Sequence, residues 1–150
     1  MKKEIRLYNV LFPLWMLLML PQMWLIVLPG NFIIDSLVLI GLMHFLKITE
    51  KKSFYKENIF KVFGFGMLSD IIGAGFLLLC MIIVEGITYA DELRITIPAV
   101  MISAVCIFLF NYFITFKTCE KGLRLRLALT YAIVTAPYTF LVPSSLLYNF

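Results

Sequence analysis

Five long apolar runs, separated by short polar connections, dominate the hydropathy pattern of this chain. They cover residues 8–28, 32–46, 63–84, 97–116 and 127–142. A helix needs about 20 predominantly apolar residues to cross a bilayer. Residues 63–84, FGFGMLSDIIGAGFLLLCMIIV, meet that length with one charged side chain, Asp70. The pattern predicts an all-α, polytopic integral membrane protein. Its five transmembrane helices form a bundle within a single domain over residues 1–150.

The polar breaks place the helix ends. Pro13 and Pro21 lie inside the first run and predict kinks, which membrane helices tolerate when neighbours satisfy the freed carbonyls. The run is too long for a signal-peptide core and has no small-residue cleavage site, so an uncleaved span is expected. Pro29-Gly30-Asn31 reads as a tight turn, with Gly30 ending one helix and Asn31 capping the next. Spans one and two are then an antiparallel hairpin. Residues 47–61 carry five lysines among Phe54, Tyr55, Ile59 and Phe60. That mixture predicts a short interfacial helix, capped by Ser53, that lies against anionic headgroups and runs into span three. Pro98 fits the first turn of span four. Pro143-Ser144-Ser145 ends span five.

Charge sets the orientation. Twelve of the thirteen Lys and Arg residues fall in the N-terminal flank, the second connection and the fourth connection. Arg94 is the one left for the opposite side. Positive residues stay inside, so the N-terminus is expected inside and the C-terminus outside. Hydrophobic residues make up 62% of the chain and charged residues 15%, far from the roughly 45–50% and 25% of soluble domains. The net charge of +4 belongs to these loops, so nucleic-acid binding is not expected. Cys80, Cys106 and Cys119 have no ligand spacing. No disulfide, metal or cofactor is expected.

The candidate chemistry is intramembrane. Asp70 shares a helical face with Gly66, Met67, Gly73, Ala74 and Leu77. Small residues let a neighbouring backbone approach, so this face should point into the bundle. A mid-membrane carboxyl costs about 2.5–3.5 kcal/mol on insertion scales. It needs a partner, a proton or water, whether it fixes packing or serves a proton- or ion-linked site. In span five, Tyr131, Thr135, Tyr138 and Thr139 form one helical stripe. By depth, Thr135 and Tyr131 are candidate partners for Asp70, and Asn111 is a third. Asp35 is expected about one turn inside the outer end of span two, reaching headgroups. His44, near the inner end, is expected to be structural.

No enzyme is expected. Asp35 and Asp70 are placed about 6 Å apart in depth by this count, which is poor for a dyad sharing one proton. A single histidine excludes a self-contained multi-histidine site.

Phe110–Lys117 (FNYFITFK) and residues 127–143 (LALTYAIVTAPYTFLVP) resemble a family of small multi-pass membrane proteins of Gram-positive bacteria with no assigned activity. The resemblance implies a bacterial cytoplasmic membrane. Asn111–Lys117 is also similar to the Asn-Arg-x-x-Thr-Phe-Arg stretch of GtrA-like proteins, with Tyr112 in place of the arginine. That likeness implies polyprenyl-lipid-sugar translocation. Two functions follow as expectations. The first is a non-enzymatic accessory, assembly or structural component. The alternative is a small transporter or lipid-linked substrate flippase built on the Asp70 cluster. Five helices enclose little volume, so a homo-oligomer or a membrane partner protein is expected. The bilayer itself is the remaining partner.

Overall fold

The computed structural model describes residues 21–83 and 92–142, and no strand occurs among them. Helix α1 spans Trp24–Phe45, α2 Lys51–Ile83, α3 Glu92–Phe110 and α4 Lys121–Val134. Three stretches are long and apolar enough to cross a membrane: Pro21–Phe45, Lys51–Cys80 and Leu93–Thr115. The first predicted span lies largely outside the described residues. The fifth is helical as α4 only as far as Val134, and α4 as a whole has 14 residues, about 21 Å at 1.5 Å per residue against a hydrocarbon core of about 30 Å.

The expected turn at Pro29-Gly30-Asn31 does not form. α1 runs through all three residues without interruption. Pro-Gly is a strong turn signal in water. In an apolar medium, each backbone group exposed by a turn costs several kcal/mol. Keeping the helix leaves a single carbonyl freed by Pro29, and continuity wins. Asn31 is no cap: its Nδ2 lies 3.1 Å from Met67 Sδ on α2. The boundary at residue 32 is therefore wrong, and Asp35 moves from the helix entrance to mid-helix.

The hairpin instead joins α1 to α2. Lys47 takes a left-handed conformation with φ of 53°. Its N–H bonds the His44 carbonyl at 3.3 Å, and the Ile48 N–H bonds the Met43 carbonyl at 3.0 Å. This is a Schellman ending, and Ile48 packs on the same core cluster as Met43. The helix expected over the basic connection runs into the third span without a break. Residues 51–61 are the first three turns of α2, whose 33 residues span about 50 Å, well beyond the hydrocarbon core. Ser53 does not cap it but bonds Glu57 within the helix at 3.3 Å.

α3 ends in a π-helical turn, Asn111–Thr115, in which the Phe116 N–H reaches back five residues to the Asn111 carbonyl at 2.9 Å. A polar side chain inserts at its start: Asn111 Nδ2 donates to the Ile107 carbonyl at 2.9 Å. Such insertions shift a helical ladder.

α4 stops for a similar local reason. Pro137 has no N–H for the Ile133 carbonyl, and a helical proline would clash with that oxygen. The Tyr138 hydroxyl takes the freed carbonyl instead. A single 3-10 turn, Tyr138–Leu141, follows and buries Phe140.

Two apolar cores result. One gathers Leu39, Leu42, Ile59, Val62, Leu127 and Tyr131 near the basic end of the bundle. The other gathers Met67, Ala74, Leu77, Ala99, Ala136 and Phe140. Between them lies the polar layer that carries the site.

Candidate functional site

A cavity of about 460 Å³ opens where α1, α2 and the broken end of α4 meet. Val27, Gly30 and Ile34 form its α1 wall, and Met67 its α2 wall. Residues 134–140 close it from the third side. The acids of two candidate spans, Asp35 and Asp70, both line it. Asp35 is 6% exposed and Asp70 9%. Asp35 reaches it because α1 continues through Gly30. Its Oδ2 lies 3.6 Å from the point where a side chain on Gly66 would begin. Asp70 follows Gly66 by one helical turn on the same face, about 6 Å along the axis. The two carboxyls therefore belong to one site.

They differ in their partners. Ser103 Oγ on α3 donates to Asp70 Oδ1 at 3.0 Å. No donor among the described residues bonds the Asp35 carboxyl. Its backbone carbonyl instead accepts the Tyr131 hydroxyl at 2.5 Å, which ties α4 to the middle of α1.

The remaining predicted residues divide. Thr135 lines the cavity, and its Oγ1 donates to the Tyr131 carbonyl at 2.8 Å. Tyr138 also lines it, but half exposed and past the helix end, so it does not continue the stripe of Tyr131 and Thr135. Tyr131 is fully buried and meets Phe116 at 6.2 Å between ring centroids. Asn111 is buried on its own helix and does not line the cavity. His44 is exposed, with Nδ1 3.5 Å from Lys51 Nζ.

The small face of α2 does meet its neighbours. A side chain on Gly73 would begin 3.2 Å from the Ala99 carbonyl oxygen and 3.2 Å from Ser103 Cβ. Ser103 was missed as the partner of Asp70. It had a signal: Thr96, Ser103 and Asn111 recur at heptad-like spacing on one face of α3, and all three are buried. A buried polar stripe on a membrane helix marks the side that faces protein.

The Ser103–Asp70 bond gives a direct test. Asp70→Asn keeps an oxygen acceptor for Ser103 and should lower stability by less than about 1 kcal/mol. Asp70→Leu leaves the hydroxyl unpaired and should cost about 1–3 kcal/mol. Unfolding in detergent compares the two. Equal stability of both variants would mean that the bond contributes nothing.

No family model matches the chain, and no curated protein or solved structure matches it.

Proposed function

We propose that this chain is a multi-pass protein of a bacterial cytoplasmic membrane, with its two basic connections inside, that works as a small transporter or carrier of a polar solute. One observation carries the reading: two buried carboxyls share a mid-membrane cavity against a helix that ends there. Discontinuous helices with polar ends at mid-depth are the usual construction of membrane solute sites. Irregular backbone is tolerated at that depth where it lines a cavity or is buried in protein.

The accessory or structural role rests on short connections and missing motifs, and neither accounts for an acidic cavity. The chain is non-enzymatic in this reading. The basic connection 47–61 sits against anionic headgroups. Lys47 to Lys61 at one end of α1 and α2, and Lys117 to Arg126 at the same end of α3 and α4, support the orientation. The resemblance of residues 110–117 and 127–143 to Gram-positive membrane proteins supports the location. α1 leaves Leu25, Ile26 and Leu37 largely exposed, a face that lipid or a second copy would cover.

Cysteine accessibility tests the reading. In a background with Cys80, Cys106 and Cys119 replaced by serine, Thr135→Cys and Thr139→Cys should react with a water-soluble maleimide added outside cells. Leu129→Cys, on the exposed apolar face of α4, should not. Lys52→Cys and Lys121→Cys should react only after the membrane is opened. Unreactive cysteines at both cavity positions would reject a water-reachable site.

A further inference from the structure

We propose that this cavity binds a lipophilic organic ammonium ion, with the Asp35 carboxyl as its counter-charge; the inference rests on the cavity being the solute site.

Charge decides the sign. Two carboxyls line the space, and among the described residues no lysine or arginine does. α4 ends at the cavity wall with its C-terminal, electronegative end, and Val134, Thr135 and Ala136 form part of the lining. An anion would be repelled by all three features. A neutral solute offers the Asp35 carboxylate no counter-charge, whereas an ammonium ion pairs with it, and a buried charge costs much unless paired.

Size and lining decide the class. About 460 Å³ falls within the roughly 300–1,000 Å³ of small-molecule sites. It far exceeds what a bare metal ion fills. Hard cations gather about six to eight oxygens around them. Here Val27, Ile34 and Met67 set hydrocarbon among the polar groups on the walls. Tyr138 and Phe140 add two aromatic rings, which attract ammonium groups.

The partners assign the roles. Ser103 already occupies Asp70 Oδ1. Asp35 is more than nine-tenths buried and has no bond to its carboxyl among the described residues. Asp35 is therefore the group that the ammonium pairs with. Asp70 sets the field and stays held by α3.

Titration calorimetry on the full chain in detergent tests this with benzyltrimethylammonium and its uncharged isostere, neopentylbenzene. The ammonium should bind saturably and the isostere should not. Asp35→Asn should weaken binding at least about 30-fold, and Asp70→Asn by a smaller factor. Gly30→Leu is the second variant: nothing lies within 4 Å of the point where a side chain would begin, and Gly30 lines the cavity, so it should fold, fill the cavity and abolish binding. If Asp35→Asn does not fold, Gly30→Leu decides. Binding that survives Gly30→Leu, equal affinity for neopentylbenzene, or displacement by equimolar sodium would overturn the inference. Those results leave a maleimide-reactive cavity standing, whereas unreactive Thr135→Cys and Thr139→Cys would remove both.

Discussion

Tyr131→Ala should destabilise the protein by about 3 kcal/mol or more, within the range for large aromatic truncations in packed cores. Tyr131 is the largest of the fully buried side chains. It sits where α4 meets α1 and stacks at a tilt against Phe116. Lipid tails are as apolar as the core, so hydrophobic transfer gives little drive between membrane helices. The loss is then mainly van der Waals contact around the void. Tyr131→Phe separates the other contribution. It removes only the bond to the Asp35 carbonyl and should cost about 1 kcal/mol. Unfolding of both variants in detergent, followed by circular dichroism, gives the ratio. Equal losses would mean that the hydroxyl, not the ring, holds α4 in place.

Asp70, the small face around it, Tyr131 and Thr135 were legible before the fold, because each breaks an apolar background. Lipid makes such breaks expensive, so they mark interior faces. The meeting of Asp35 with Asp70 was not legible. It depends on α1 passing through Pro29-Gly30-Asn31, where a rule learned in water points the other way. Once the turn was placed at Gly30, Asp35 counted as a first-turn acid near headgroups, and its depth was misjudged.

The end of α4 shows a second limit. Tyr131, Thr135, Tyr138 and Thr139 fit one helical stripe by spacing. Spacing assumes a continuous helix, and Pro137 sits within the last turn of that assumption. The proline was visible, but its consequence depends on what takes the Ile133 carbonyl. In α1 the helix carries on through Pro29. In α4 the Tyr138 hydroxyl takes the freed oxygen, and the chain leaves the helix. The two prolines thus have opposite outcomes, and the deciding partner is in the tertiary structure.

The other large effect is expected at Gly73, where α2, α3 and the turn after α4 converge. In a helix interior, Gly→Ala normally gains up to about 1 kcal/mol from backbone entropy. Gly73→Ala should instead lose stability. Its added carbon would meet Phe140 Cε2 at 3.1 Å, the Ala99 carbonyl oxygen at 3.2 Å and Ser103 Cβ at 3.2 Å. The Phe140 ring can tilt. The carbonyl and Cβ move only with the α3 backbone, so the helices must part. Gly73→Leu forces a larger separation and should cost about 3 kcal/mol or more, the upper end for overpacking. It should also weaken the Ser103 bond to Asp70, because Asp70 lies one turn from Gly73 on the same face. Gly64→Leu is the control: nothing lies within 4 Å of the point where a side chain would begin, and it should unfold like the parent. Unfolding midpoints of the three variants in detergent measure the order. A Gly73→Leu protein as stable as Gly64→Leu would mean that α2 and α3 do not meet at Gly73.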